Sequence, residues 1–347
     1  AFEARQVEKT YLGLVAGVVF SAWVIINTPV LHLSGEGIRV ERRGAVERVI
    51  DRAVEVGITL FDTAALYGFG KNEALVGRVL KAHRNEITLC SKGGMAAVQF
   101  PDGLKRVING RPEAIRLNCE DSLRRLQTDV IDLYYLHRWD KQVPIEDSVG
   151  ALSDLVRKGH IRSIGLSEVG AATLRRAHAV HPIAALQTEY SLWSRNPEIA
   201  VLDACRELGV AFVAFSPVAR GYLCGTVRSV DALDAKDIRR SMPRFQPAHY
   251  AANLALLPPY EALARELGCT PAQLALAWLL HKAPHIVVIP GTTSLDHVRD
   301  NMAAKDIALS AETMARLEAM INPHTVSGPR YDAQATREVD TEEFAPQ

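Results

Sequence analysis

The chain has 347 residues, enough to bury a large core, and its 40 basic and 40 acidic residues cancel to a formal net charge of zero. That balance argues against nucleic-acid binding by bulk electrostatics, and the basic stretches LRRL and RRAHAVH read as helix surfaces. Five cysteines, at positions 90, 119, 205, 224 and 269, include no C-x-x-C pair, which points to reduced thiols in a cytoplasmic protein and away from disulfides or a zinc site.

The first stretch of note is apolar. Residues 10–35 carry no Asp, Glu, Lys or Arg, and residues 11–33 are long enough to span a bilayer. Asn27, Pro29 and His32 interrupt the stretch, and runs such as 15–20 and 23–26 suit strands buried on both faces. A buried-strand reading is therefore preferred to a membrane or export segment. From about Ala45 a rhythm sets in, a short apolar run followed by an amphipathic stretch. The runs are 58–61, 86–90, 130–136, 161–167, 184–187, 210–216 and 285–291. Helical patterns fall at 73–81, 112–126, 145–157, 171–179, 197–208, 253–267, 271–281, from Ser294, and at 311–321. Pro112 opens one helix, and Gly159 and Gly209 close two others.

Strands alternating with helices imply βαβ units and a parallel sheet. Seven clear strands, plus one in the apolar N-terminal region, make the eight of a (β/α)8 TIM barrel. A doubly wound sheet is the alternative, but its phosphate-binding turn is missing. The nearest candidate, Gly68-Phe69-Gly70-Lys71-Asn72-Glu73, lacks the third glycine and lies several residues past its strand. The expected organisation is an atypical N-terminal segment (1–40), a barrel (41–325) and a polar C-terminal tail (326–347).

In a barrel, function sits where strands end. Successive runs close on Asp62, Lys92 and His137, then on Ser167 with Glu168, Gln187, Ser216 and Pro290-Gly291. Tyr67 follows Asp62 in a glycine-flanked loop. A free phenol, with pKa about 10, is a poor proton donor at neutral pH. A nearby ammonium stabilises the phenolate and improves it. Lys92 fits that role, Asp62 would keep Lys92 charged and fixed, and His137 would orient a carbonyl oxygen. No Ser or Cys is paired with a base as a nucleophile, whereas a hydride from a nicotinamide cofactor suits such an acid. His178-x-x-His181 lacks a third ligand, so no metal is expected.

The motifs LFDTAALYGFGKNEALVGRVL, ITLCSKGG, DVIDLYYLHR, IRSIGLSE, AALQTEYSLW, FVAFSPVARG and IPGTTSLDHVRDN together resemble the aldo-keto reductase family from about Ala45 to Ile321. The resemblance implies a (β/α)8 barrel, NAD(P)H-dependent reduction of a small-molecule carbonyl substrate, and the tetrad Asp62, Tyr67, Lys92 and His137. It places Ser167, Glu168 and Gln187 at the nicotinamide carboxamide, with Glu168 replacing a frequent asparagine. Phe215 would lie against the nicotinamide, and Ser216, Pro217, Val218 and Gly221 would face the pyrophosphate. Ile289, Gly291, Thr292, Ser294, His297, Asp300 and Asn301 fall at the adenosine end. Trp139 and Trp193 are candidates for the substrate mouth.

Two departures stand out. After Ile289-Pro290-Gly291 the family commonly places Lys or Arg for a 2′-phosphate, and this chain has Thr292, Thr293 and Ser294. NADPH is the expected cofactor by family, with NADH the alternative; Arg239, Arg240 and Arg244 would assist if their segment folds over the cofactor as a lid. The second departure is the absence of the usual hairpin and Gly-rich first strand. A barrel can also serve as a cofactor-sensing regulatory subunit, and intact catalytic residues do not exclude that role.

Overall fold

The computed structural model describes residues 24–25, 40–101, 103–235 and 237–345. Its strands are β1 (Val24–Ile25), β2 (Leu60–Asp62), β3 (Thr88–Gly93), β4 (Met95–Phe100), β5 (Gly103–Ile108), β6 (Ile131–Leu136), β7 (Ile161–Ser167), β8 (Ile183–Glu189), β9 (Ala211–Phe215) and β10 (Ile286–Ile289). Eight of them form one sheet in the order β1-β2-β3-β6-β7-β8-β9-β10, every neighbouring pair parallel. With helices on its outer face, this sheet wraps into a nearly closed (β/α)8 barrel. The apolar N-terminal stretch does supply a strand beside β2, with Val24 opposite Phe61 and Ile25 opposite Asp62. The rest of residues 11–33 lies outside the described residues. Among the described residues no helix is long and apolar enough to cross a membrane.

Two cores follow from strand alternation. Leu60, Cys90, Leu133, Tyr135, Ala185, Ala211, Val213, Val287 and Ile289 fill the barrel interior. Phe61, Leu89, Tyr134, Leu136, Leu186 and Phe212 point outward and pack against the helices. Gly165 makes room inside: a Cβ there would lie 2.3 Å from the Tyr135 ring.

Three elements differ from the sequence reading. A helix at Val40–Glu55 precedes β2. An antiparallel hairpin, β4 with β5, follows β3. The single helix expected over 253–267 is two, Pro247–Leu254 and Leu257–Glu266. Pro258 and Pro259 explain the break, because proline lacks the N–H and its ring clashes with the carbonyl four residues back.

The C-terminal segment is not a loose tail. Arg330 and Val339 are buried. Asp340 bridges in parallel to Val169. Lys141 donates to Val339 O at 2.6 Å, Thr173 to Asp340 at 2.6 Å, and the Ala171 N–H to Glu342 at 2.7 Å. The segment therefore lies across the loops that follow β6, β7 and β8.

Candidate active site

Strand parity builds the site. Asp62 is two residues beyond Leu60, Lys92 two beyond Cys90, and His137 two beyond Tyr135, so all three continue the inward-facing rows. The ladder between β2 and β3 extends past Asp62, with Thr63 N–H donating to Cys90 O at 3.0 Å and Ala65 N–H to Lys92 O at 3.2 Å. His137 N–H donates to Gly93 O at 2.8 Å, which places His137 beside Lys92. Tyr67 comes from the turn after β2, where Gly68, Phe69 and Gly70 adopt positive φ of 56°, 54° and 84°.

The four side chains meet. Lys92 Nζ donates to Asp62 Oδ2, to Thr63 O at 2.9 Å and to Tyr67 Oη at 3.4 Å. Both side chains of the Asp62–Lys92 pair are fully buried. The Tyr67 and His137 rings meet edge to face at 5.8 Å. Burial alone would lower the Lys92 ammonium, but the Asp62 carboxylate and the Tyr67 phenol outweigh it and hold it above its ordinary value. His137 goes the other way. Burial first, then the charges of Arg138, Lys92 and Arg106, hold it well below the usual imidazole range, so it is neutral at neutral pH. Its Nδ1 is buried without a hydrogen-bond partner.

The cofactor-side candidates fall on neighbouring strands. Ser167 and Gln187 are register partners, and Phe215 pairs with Glu189 one strand further on. Gln187 Nε2 donates to Asp62 Oδ1 at 3.0 Å, and Ser167 Oγ accepts from Arg138 at 3.1 Å. Past Phe215, Ser216 (φ 49°), Ala219, Arg220 and Gly221 turn the chain through left-handed conformations around Pro217 and Val218.

Glu168 sits elsewhere in this picture. Its backbone is left-handed (φ 56°), and its carboxylate is turned to Arg330, with Oε1 accepting at 3.2 Å and Oε2 at 2.7 Å. Oε1 also accepts the Glu189 N–H at 2.9 Å. Arg220 and Tyr331 hold Glu189 at 2.9 and 3.1 Å. The sequence reading had no partner for these acids, because Arg330 and Tyr331 lie far along the chain.

Among the residues expected at the adenosine end, Ile289 is the last residue of β10 and Gly291, Thr292 and Ser294 form the turn that follows. Thr292 Oγ1 lies 3.3 Å from His297 Nδ1, and Ser294 caps the next helix at the His297 N–H. Asp300 O accepts from Gln273, and Asn301 is buried. Arg239, Arg240 and Arg244 are bound within the protein. Arg239 holds Asp237 and Arg220 O, Arg240 holds Val230 O and Leu233 O, and Arg244 holds Gly328 O and Trp193 O.

The two tryptophans differ. Trp139 is half-buried and donates to Val143 O at 2.8 Å. Trp193 is buried, stacked on Tyr222 at 4.1 Å and met edge-on by Phe245. The structure thus places Trp193 in an aromatic core with Tyr222, Phe245 and Tyr250. The hairpin β4–β5 at the barrel mouth was missed, although Pro101-Asp102-Gly103 between two apolar runs is a turn signal.

The sequence profile of the Aldo/keto reductase family matches residues 32–322. The glycerol dehydrogenase of Gluconobacter oxydans superposes with a TM-score of 0.76 at 27% identity, covering 88% of this chain and 89% of that one. An aldo/keto reductase from Klebsiella pneumoniae, solved with NADP and acetate, gives 0.64 at 29% identity over 86% of this chain and 92% of its own. An aldo-keto reductase of Bacillus halodurans in its holo form gives 0.68 at 26% identity, over 90% and 94%. With the barrel and the match over most of its length, this chain belongs to the aldo/keto reductase family.

Proposed function

We propose that this protein is an NADPH-dependent reductase of aldehydes or ketones, with Tyr67 as the general acid. The observation that carries the reading is Lys92 Nζ, bonded to Asp62 and 3.4 Å from Tyr67 Oη, with a neutral His137 at the phenol ring. A nicotinamide cofactor held by these residues would supply the hydride for the carbonyl carbon. Tyr67 donates its phenolic proton to the carbonyl oxygen, and the product is the alcohol. The Lys92 ammonium stabilises the phenolate left behind, and Asp62 keeps that ammonium charged. Neutral His137, with its Nδ1 enclosed, uses Nε2 to orient the carbonyl oxygen.

The residues fit a nicotinamide carboxamide. Gln187 spends its Nε2–H on Asp62, which leaves Oε1 to accept an amide N–H. Ser167 accepts from Arg138, which leaves its O–H to donate to an amide oxygen. An acceptor and a donor side by side suit a primary amide, so Ser167 and Gln187 are assigned to it and Phe215 to the ring face. Glu168 has both oxygens engaged by Arg330 and acts as an anchor.

With Arg239, Arg240 and Arg244 bound internally, the described residues assigned to a 2′-phosphate are Thr292, Ser294 and His297. This favours acceptance of NADH beside NADPH. The wall near Trp139 is assigned to the substrate mouth. The test is turnover of para-nitrobenzaldehyde with each cofactor, for the native chain and Tyr67→Phe. Tyr67→Phe is expected to lose about 10²–10⁴-fold in kcat and still bind NADPH. Undiminished turnover in that variant would refute the acid assignment, and cofactor binding without any native turnover would favour the sensor role.

A further inference from the structure

The tetrad uses the inward face of the barrel strands, and its outward-facing neighbours converge on a single helix. Thr63 follows Asp62 and Ser91 precedes Lys92, so both alternate away from the barrel axis. Thr63 Oγ1 donates to Asn72 Oδ1 at 2.5 Å, and Ser91 Oγ donates to Glu73 Oε1 at 2.5 Å. Asn72 and Glu73 lie in the first turn of the Lys71–Leu80 helix, which begins where the Tyr67 turn ends. Arg125, from the Pro112–Leu126 helix, donates to Glu73 Oε2 at 2.6 Å. Thr63, Asn72, Glu73 and Ser91 are each no more than 2% exposed.

A carboxylate this deeply enclosed persists only through its partners. What those partners tie together is specific. After Ala65 the chain leaves the ladder and runs through three left-handed residues before the helix begins. The position of Tyr67 relative to Lys92 is therefore set by the two ends of this turn. One end is β2. The other is Asn72 and Glu73, bonded to residues adjoining Asp62 and Lys92. Arg125 also packs beneath the turn, since a Cβ on Gly70 would lie 2.6 Å from Arg125 Cδ. Further along, a Cβ on Gly77 would lie 2.4 Å from Leu126 O, so the helix cannot shift without breaking a close backbone contact.

We propose that Glu73, assisted by Asn72, is a positioning residue for the proton donor, locking the Tyr67 turn to the strand that carries Lys92. This rests on Tyr67 being the acid. The test compares Tyr67→Phe, Glu73→Gln, the double variant Glu73→Gln/Arg125→Met, and Ser91→Ala. Four quantities are read for each: kcat, KM for para-nitrobenzaldehyde, NADPH affinity by cofactor fluorescence, and the urea midpoint. Glu73→Gln is expected to lower kcat by about tenfold to a hundredfold, the scale of a misplaced reacting group. KM and NADPH affinity are expected to hold within about twofold, since no substrate or cofactor contact is removed. The double variant removes the buried carboxylate together with its partly exposed partner and is expected to regain the urea midpoint without regaining kcat. Ser91→Ala leaves the Glu73–Arg125 pair whole and is expected to cost about threefold to tenfold in kcat, which keeps the test open should Glu73→Gln not fold. Recovery of kcat together with stability in the double variant would overturn the proposal, as would native kcat in both Glu73→Gln and Ser91→Ala. Full turnover in Tyr67→Phe would remove the acid assignment itself, and this inference with it.

Discussion

Asp62 and Lys92 lie 30 residues apart on adjacent strands, whereas Glu168 and Arg330 are separated by 162 residues and join a strand end to the C-terminal segment. Both pairs are almost completely buried, with side-chain exposures of 0% and 0% for the first and 0% and 2% for the second. In each, burial works against the cation and the carboxylate beside it outweighs that effect, so Lys92 and Arg330 are both raised. The difference lies in what surrounds them. Lys92 also faces the Tyr67 phenol, so its charge bears on the group proposed to transfer a proton. Arg330 lies over the Tyr331 ring at 4.3 Å and also bonds Thr341, contacts that hold a segment in place. Similar electrostatics thus surround the proposed proton donor in one region and hold a chain segment in the other.

The sharpest way to separate the two is to remove each cation. Lys92→Met is expected to lower turnover by about 10²–10⁴-fold and to destabilise the fold by leaving Asp62 buried and unpaired. Adding Asp62→Asn is expected to restore the urea midpoint and leave turnover lost. Arg330→Met is expected to cost about 3–5 kcal/mol of unfolding free energy, while molecules that remain folded keep most of their kcat. A turnover loss in Arg330→Met as deep as that of Lys92→Met would erase the distinction.

Protonation gives a milder test of the catalytic region. The folded state holds His137 well below its ordinary value, so the unfolded chain binds a proton there first as pH falls. Stability is therefore expected to decline below about pH 6.5, by at most about 1.4 kcal/mol per pH unit from this group. Urea unfolding across that range should show His137→Gln with a flatter slope; His178 and His285, also lowered by burial, retain the remainder. The smallest expected effect is at the adenosine end. His297→Ala is expected to reduce the ratio of NADPH to NADH efficiency by about twofold to fivefold, the worth of an exposed charged contact.

Much of the catalytic side was legible because its residues close apolar runs at the same end. Asp62, Lys92 and His137 are marked by closing successive runs, and Tyr67 joins them as a phenol in the glycine-flanked loop after Asp62. The helix break at Pro258-Pro259 and the β4–β5 hairpin were also signalled locally, by residues whose backbone preferences are strong. Glu168 was different. Its place at a strand end is the same kind of signal as that of Lys92, and only the approach of Arg330 turns its carboxylate away. Trp193 likewise reads as a mouth residue until Tyr222 and Phe245 stack against it.

Short apolar runs alternating with amphipathic helices determined the barrel, and the polar residues that close those runs marked the strand ends on which the proposed tetrad stands. Those features depend on neighbours in the chain. The roles of Glu168, Arg330, Glu73 and Trp193 depend on partners drawn from other elements. Only tertiary packing decides which of several charges or rings fills the space beside them, because a buried charge is tolerable only where a specific partner arrives.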